Sequence, residues 1–286
     1  MTAELTAVRS GALTTVQDAG RPGHAHLGVP RSGALDAPAM RLANRLLGNA
    51  PDAAVLETTL TGCALRPDRG VTVAVGGAPC PVTVDGRPAA WGAPVRVPAG
   101  SVLDVGAAVT GVRSYVAVAG GITAEPVLGS RSTDLLSGLG PLPLRDGDLV
   151  PVGTPARPVP PSGAAAPWPG PPGELVLPVR LGPRADWFSP AALRTLTSAV
   201  YHVSPHSNRI GLRTEGPPLE RASTGELPSE GMVLGAVQVP PDGRPVVFLH
   251  DHPTTGGYPV VAVVAEPALA AAAQAGAGTP VRFTAG

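Results

Sequence analysis

The sequence has 286 residues, no formal net charge, and 15% charged against 43% hydrophobic residues. Its 37 glycines and 36 prolines make up about a quarter of the chain, but the hydrophobic balance opposes disorder, so we assign them to turns between short strands. All 21 basic residues are arginine, which excludes a Walker A lysine, a lysine Schiff base and a biotin-carrying lysine. The neutral charge and 3% aromatic content disfavour nucleic acid and anionic membranes as partners.

No segment of the sequence indicates export or a membrane span. The opening residues MTAELTAVRS lack the apolar core of a signal peptide, and the apolar stretch 260–278 is interrupted by Glu266-Pro267. We therefore expect a cytoplasmic protein in which Cys63 and Cys80 are reduced thiols.

A proline-rich segment divides the chain. Residues 155–173 read PARPVPPSGAAAPWPGPPG, a composition typical of an extended, semi-rigid linker. We therefore predict an N-terminal domain over 1–154, a linker over 155–173 and a C-terminal domain over 174–286. Most of the remaining sequence alternates β-branched residues between Gly/Pro turns, which predicts a mainly β sandwich or barrel. The predicted strands are 71–75, 82–84, 95–97, 102–105, 112–120, 174–181, 199–203, 235–239, 245–250, 259–264 and 280–286.

Few helices are predicted. Asp36 is suited to cap a helix over 37–47, which has a proline in its first turn and ends at Gly-Asn. Ser189-Pro190 opens a second helix that extends to about Ser198, and Glu266-Pro267 opens a third, alanine-rich one.

The segment 14–33, TTVQDAGRPGHAHLGVPRSG, concentrates polar side chains between glycines and prolines. Unpaired polar groups are costly in a core, so the segment is either a functional loop or a solvated one rich in turn-forming residues. We choose Gln17 and Asp18 as candidate catalytic residues and Arg21 as a candidate substrate ligand.

A second concentration is 204–216, SPHSNRIGLRTEG. Asn208, Arg209 and Arg213 supply donors suited to a carboxylate or phosphate, and we choose them as substrate-binding candidates. A turn followed by an exposed strand with solvated arginines is the alternative.

The third concentration, 229–259, ends in HDHPTTGGYP. Asp251 and His252 are suited to general acid–base chemistry, whereas a strand end followed by a Gly-Gly turn is the alternative. Gly256 and Gly257 allow a ligand to approach the backbone closely. The remaining substrate-binding candidates are Gln238, Thr255 and Tyr258.

Two His-x-His pairs, His24/His26 and His250/His252, would each place both imidazoles on one face of a strand. Two ligands do not complete a metal site, so we predict none. The sequence also lacks a G-x-S-x-G nucleophile elbow. The residues alone therefore indicate a two-domain β protein with an anion-binding site and no evident nucleophile.

The same segments resemble, in order, the signature blocks of the biotin-dependent carboxyltransferase-like family. These blocks are TTVQDAGRPG, HLGVPRSGALD, RLANRLLGN, LETTLTG, YVAVAGG, LGSRSTD, SNRIGLRTEGPPL, SEGMVLGAVQVPPDGRPVVFL and TTGGYP. The family includes the C component of ATP-dependent 5-oxoprolinase, allophanate hydrolase subunit 2 and the antagonist of a sporulation-kinase inhibitor. The resemblance implies two cyclophilin-like β-barrel domains with a few short helices.

For function, the resemblance implies one subunit of a hydrolase that opens 5-oxo-L-proline to L-glutamate. It implies a sister subunit of the 5-oxoprolinase or allophanate-hydrolase-subunit-1 type, a third LamB/YcsF-type subunit, ATP at a shared site, and no activity of the chain alone. Arg209 and Arg213 would then hold carboxylate or phosphate charge. Two alternatives stay open: a non-catalytic binding partner of a kinase-inhibitor-like sister subunit, and an allophanate- or urea-type amidase or carboxyltransferase subunit.

Overall fold

The computed structural model describes residues 3–159, 168–223 and 225–286. The chain divides into two compact units. Unit 1 comprises Met1–Arg21, Ser32–Asp134 and Gly138–Pro171, and unit 2 comprises Pro22–Arg31, Leu135–Ser137 and Pro172–Gly286. The middle of the predicted linker, 160–167, lies outside the described residues, so the linker boundaries stay a prediction.

Unit 1 is built from two antiparallel sheets. Its strands are β1 (Ala3–Arg9), β2 (Thr14–Gln17), β3 (Val55–Thr59), β4 (Cys63–Pro67), β5 (Val71–Gly77), β6 (Val82–Val84), β7 (Arg87–Pro88), β8 (Pro94–Val97), β9 (Leu103–Val105), β10 (Arg113–Val118) and β11 (Leu149–Val152). Their orders are β11-β1-β4-β9-β6-β7 and β2-β3-β10-β5-β8. Val73 and Val75 of β5 enter the core between the sheets, whereas Ala74 faces the opposite side. The period of two along β5 therefore makes the second sheet apolar on both faces.

A helix, α1 (Ala37–Leu46), covers the outer face of the second sheet. The Asp36 carboxylate accepts a hydrogen bond from the Ala39 amide at 3.0 Å, which confirms the predicted cap. Met40 and Ala43 are fully buried against that sheet. The face of α1 that carries these two residues therefore packs on the sheet.

Part of the predicted linker packs on unit 1. The Trp168 indole N–H donates to the Gly92 carbonyl at 3.4 Å, and its ring lies 5.4 Å from that of Trp91 between centroids. A Cβ at Gly76 would lie 1.8 Å from the Trp168 ring, so glycine is required for this contact. The residues that follow the undescribed segment thus contribute to the packing of unit 1.

Unit 2 contains a closed barrel. Its strands are β12 (Leu175–Leu181), β13 (Tyr201–Val203), β14 (Gly211–Glu215), β15 (Glu230–Gly231), β16 (Ala236–Gln238), β17 (Val246–Phe248), β18 (Thr255–Gly256), β19 (Val260–Val264) and β20 (Pro280–Ala285). The barrel order is β12-β19-β16-β17-β14-β13-β20, and a parallel pairing of β12 with β20 closes it. β15 and β18 form a separate two-stranded sheet. The mainly β fold class is confirmed.

The helices of unit 2 are short. Ser189 caps α2 (Pro190–Ser198) by accepting from the Ala192 amide at 3.1 Å, as predicted. The third predicted helix begins as a 3-10 turn over Glu266–Ala268 and continues only through α3 (Leu269–Ala272). It is shorter than its alanine content suggests because the following glycines, with a left-handed turn at 278, lead the chain into β20. Within the described residues, every helix is too short or too polar to cross a bilayer.

The thiol of Cys63 is buried, which changes its pKa and its reactivity. Burial raises the pKa of Cys63 from 9.0 to about 12. Between these values only the unfolded chain loses this proton, so the contribution of Cys63 to stability is complete below pH 9 and declines as pH rises toward 12. We expect Cys63 to resist iodoacetamide at about pH 8 in the native protein and to react after unfolding in urea, as measured by mass spectrometry. Rapid labelling of the native thiol would contradict this expectation.

Candidate functional site

The candidate residue Asp18 is the centre of a buried hydrogen-bond network in unit 1. Its Oδ1 accepts from the Gly20 amide at 2.8 Å and from the hydroxyls of Ser130 and Ser132, each at 2.6 Å. Its Oδ2 accepts from the Arg131 amide at 2.6 Å. Asp18 is only 8% exposed, so its carboxylate is directed into the protein. These contacts indicate that Asp18 holds the segment 128–134 in place.

Arg21 contributes to the same network. Its Nη1 donates to the Ser32 hydroxyl at 2.9 Å, its Nε to the Val127 carbonyl at 3.2 Å, and its Nη2 to the Ser132 carbonyl. Arg21 is 2% exposed. The guanidinium predicted to bind substrate is therefore occupied by loop carbonyls and a hydroxyl of the same chain.

Gln17 is fully buried at the end of β2. Its Nε2 donates to the Thr15 hydroxyl at 3.0 Å and to the Thr133 carbonyl at 3.1 Å. Its Oε1 is buried and has no hydrogen-bond partner in the part of the chain that the structure describes. The amide thus supports the same loop and is closed off from solvent.

Two signature blocks contribute polar residues that our sequence-based selection missed. The block LGSRSTD provides Ser130 and Ser132, and the block LETTLTG provides Glu57. Glu57 Oε2 accepts from the Leu35 amide at 3.0 Å and from the Tyr115 hydroxyl at 2.9 Å. Burial, and next the Glu57 charge, raise the pKa of Tyr115 well above its usual range. These residues could have been selected from the sequence because they lie in blocks that resemble the signature blocks of the family.

In unit 2, Arg209 and Asp251 form a buried ion pair. Arg209 Nε donates to Asp251 Oδ2 at 2.8 Å, and Nη2 donates to Oδ1 at 2.9 Å. The two side chains are 1% and 0% exposed. This two-pronged geometry directs each charge at the other and joins the segments that carry the two residues.

His252 lies beside this pair in the sequence and is also buried. Its Nδ1 lies 2.7 Å from the Pro253 carbonyl oxygen, and its ring is stacked on Phe248 with centroids 5.8 Å apart. Because a carbonyl oxygen only accepts, Nδ1 carries the proton in this contact. The contact therefore sets the tautomer of the imidazole.

Gln238 contacts the β15–β18 sheet and the residues that follow it. Its Nε2 donates to the Tyr258 carbonyl at 3.1 Å and lies 4.0 Å from Met232 Sδ. A Cβ at Gly256 would lie 2.8 Å from that nitrogen, so the glycine makes room for the amide. Thr255, Gly257 and Tyr258 are exposed at the edge of this sheet.

Asn208 and Arg213 lie in a different setting, an open cleft of about 630 Å³ that we call the Arg213 cleft. Arg213 is exposed, and its guanidinium makes no hydrogen bond or ion pair with any described residue. Asn208 Oδ1 accepts from the Ile210 amide at 2.9 Å, which orients the side-chain amide. The cleft is also lined by two basic side chains, His206 and Arg244, and by two acidic ones, Glu215 and Asp242. Of the candidates in unit 2, Arg213 is the cation directed into an open space.

The histidine pairs do not form part of a metal cluster in the described ranges. No group of three or more His, Cys, Asp or Glu side chains there is arranged to hold a metal ion. The His24 and His26 rings lie 6.5 Å apart between centroids, and His26 Nδ1 lies 3.1 Å from the Gly23 carbonyl oxygen.

Comparison with known sequences finds relatives that match almost all of this chain. The family model for the carboxyltransferase domain, subdomain A and B, matches residues 27–285. The C component of the 5-oxoprolinase of Escherichia coli K12 is 38% identical over 286 residues, which cover 98% of this chain and 90% of that protein. The corresponding component of the Haemophilus influenzae 5-oxoprolinase is 32% identical, with 95% and 87% covered. A urea amidolyase of Saccharomyces cerevisiae is 32% identical, but this chain covers only 16% of it.

Solved structures show the same fold within longer chains. The crystal structure of TTHA0988 matches with a TM-score of 0.89 and 38% identity, covering 99% of this chain and 56% of that one. The urea amidolyase of Kluyveromyces lactis matches with a TM-score of 0.89 and 30% identity, covering 99% of this chain and 18% of that one. The chain therefore belongs to the carboxyltransferase domain family, subdomains A and B.

Proposed function

We propose that this chain is the C component of an ATP-dependent 5-oxoprolinase, a hydrolase that opens 5-oxo-L-proline to L-glutamate. The observation that carries the proposal is its 38% identity to the C component of the E. coli 5-oxoprolinase, along 98% of this chain and 90% of that protein. The urea amidolyases match at lower identity, and this chain covers only 16% of their length. The higher identity along almost the whole chain supports the lactam hydrolase over the urea enzyme.

The proposed reaction requires sister subunits. ATP, when bound, would supply a phosphoryl group that makes the lactam carbonyl susceptible to water. The chain has no lysine to hold phosphates, so arginines, backbone amides or another subunit must do so. We therefore assign ATP to a site shared with a sister subunit of the allophanate-hydrolase-subunit-1 type, and we include a third, LamB/YcsF-type subunit. The chain alone is then inactive and carries no biotin.

Within unit 2, we assign recognition of the substrate carboxylate to Arg213, with Asn208 beside it. Arg213 presents an exposed guanidinium to a cleft large enough for a small cyclic amino acid. Arg209 and Asp251 are instead positioning residues, because each is the other's partner inside the protein. They hold the Asn208 loop next to the segment that carries His252, the remaining candidate for proton transfer.

The candidates of unit 1 have positioning roles in this proposal. Gln17, Asp18 and Arg21 are buried and bonded to the loop 128–134. They determine the shape of that loop and do not themselves touch substrate. In unit 2, Gln238 and Gly256 do the same for the exposed edge formed by Thr255, Gly257 and Tyr258.

Reconstitution tests the proposed function. The purified chain, mixed with its two sister subunits, is expected to convert 5-oxoproline, ATP and water to glutamate, ADP and inorganic phosphate, and omission of this chain is expected to abolish turnover. Equal turnover without the chain would refute the proposal. Hydrolysis of allophanate or urea instead of 5-oxoproline would favour the urea-type alternative, and a stable complex without turnover would favour a regulatory binder.

Arg213→Ala is expected to raise the KM for 5-oxoproline by about tenfold to a hundredfold while changing kcat less. The reason is that a charge-assisted contact to the substrate carboxylate is made in the ground state as well as in the transition state. Arg194→Ala, which removes an exposed arginine of α2, is the matched control and is expected to leave both constants unchanged. An unaltered KM in Arg213→Ala would exclude the assignment.

A further inference from the structure

Unit 1 also contains an arginine-lined cleft. None of the residues that line it is among the candidate site residues discussed above. The cleft has a volume of about 400 Å³ and is lined by Arg69, Arg96 and Arg157. None of the described residues that line it is acidic. Because the whole chain has no net charge, this local excess of positive charge does not reflect a generally basic protein. We call it the unit 1 arginine cleft.

Arg96 is positioned by the second sheet. It lies on β8, in register with Thr72 of β5, which also lines the cleft. The guanidinium makes no hydrogen bond or ion pair with any described residue. A Cβ at Gly70 would lie 3.0 Å from Arg96 Nη2, so the lack of a side chain at that turn leaves room for the guanidinium.

The other two arginines come from different parts of the chain. Arg69 belongs to the turn between β4 and β5, and its Nε lies 3.8 Å from Asp68 Oδ2, an exposed and weak pairing. Arg157 follows β11 and is exposed. The tertiary fold therefore brings together three cations that come from separate segments of the sequence.

The chemistry of the cleft selects a ligand class. A guanidinium donates only, in a planar fork that matches pairs of oxygens on a phosphate or carboxylate. A single carboxylate is satisfied by one such fork, whereas three arginines match an anion that carries several oxygens and more than one charge. We propose that the unit 1 arginine cleft binds the phosphate groups of a small polyanion, either free polyphosphate or the phosphate chain of a nucleotide. Binding of this polyanion does not depend on the activity proposed above.

Isothermal titration of the full chain with inorganic tripolyphosphate, ATP and adenosine tests the proposal. Tripolyphosphate and ATP are expected to bind, with an affinity that falls as sodium chloride is added, whereas adenosine is not. Arg96→Ala is expected to weaken binding of both anions about tenfold. Arg157→Ala is expected to act in the same direction. Arg41→Ala, which removes an exposed arginine of α1 outside the cleft, is expected to bind like the unaltered protein.

The three ligands separate the possible sources of the phosphate. Equal affinity for ATP and tripolyphosphate would show that the phosphate chain alone is recognised, and a preference for ATP would show that the nucleoside adds contacts; both support the proposal. Adenosine binding as tightly as ATP would overturn it, as would equal affinities of the Arg96→Ala and Arg41→Ala proteins. Thermal melting of each variant excludes unfolding as the cause. Because the titration needs no sister subunit and no turnover, its failure would not bear on lactam hydrolysis.

Discussion

Asp251→Asn is expected to lower the free energy of unfolding by about 3–5 kcal/mol, the usual cost of breaking a buried ion pair from one side. The amide has the shape of the carboxylate but no charge, and it turns an N–H₂ donor toward a guanidinium that only donates. Arg209, which is 1% exposed, would then keep its charge in the interior without the Asp251 counter-charge. Urea denaturation followed by circular dichroism measures the difference.

Two comparisons make this test specific. Glu220→Gln performs the same chemical change on an exposed carboxylate of unit 2 and is expected to alter stability by less than about 0.5 kcal/mol. The double variant Arg209→Met/Asp251→Leu removes both charges and is expected to be more stable than Asp251→Asn alone. If Asp251→Asn lowers the free energy of unfolding by less than about 1 kcal/mol, the interpretation of the ion pair as a stabilising contact is wrong.

Asp18→Ala is expected to have the second large effect, a loss of about 3–4 kcal/mol in the stability of unit 1. Four donors converge on this carboxylate, from the Gly20 and Arg131 amides and from two serine hydroxyls. Removal of their common acceptor takes away the Asp18 partner of all four donors in a largely buried site. Asp18→Asn keeps one amide oxygen as an acceptor and is expected to lose less.

The local readout for Asp18 is hydrogen exchange at the Arg131 amide, which donates to Asp18 at 2.6 Å. This amide should exchange faster in Asp18→Ala than in the unaltered protein, because its acceptor is gone. Asp52→Ala, at an exposed carboxylate of the same unit, is the control and is expected to change neither exchange nor melting. Unchanged exchange at Arg131 in Asp18→Ala would show that the loop is held by other contacts.

These two predictions concern residues selected from the sequence for catalysis. Polar side chains in glycine-rich blocks are readily interpreted as functional. In this fold, many of them instead form hydrogen bonds or ion pairs within the protein. Arg209 and Arg213 are four positions apart in the same polar block, but Arg209 is buried and Arg213 is exposed. The fold places Arg209, in the turn before β14, against Asp251, and it leaves Arg213, on β14, at an open cleft.

Local patterns in the sequence determined the elements of the fold. The caps at Asp36 and Ser189 form between neighbours three residues apart, so the sequence contains everything that these contacts need. The same is true of the alternation in β5, which predicted a strand because side chains on a strand point to opposite faces. At α3, the helix propensity of alanine predicted a longer helix than the path of the chain into β20 permits.

The site was decided by the tertiary structure. Arg209 meets Asp251 across 42 residues, and Asp18 meets Ser130 and Ser132 across 112 and 114 residues. No local rule specifies such partners, because they follow from how the strands close into a barrel or stack into two sheets. The same holds for Arg69, Arg96 and Arg157, which share a cleft only after the sheet has formed. By itself, the sequence determined which polar groups the chain has and which strands and helices it forms; folding determined which of those groups satisfy each other and which remain directed outward to bind a ligand.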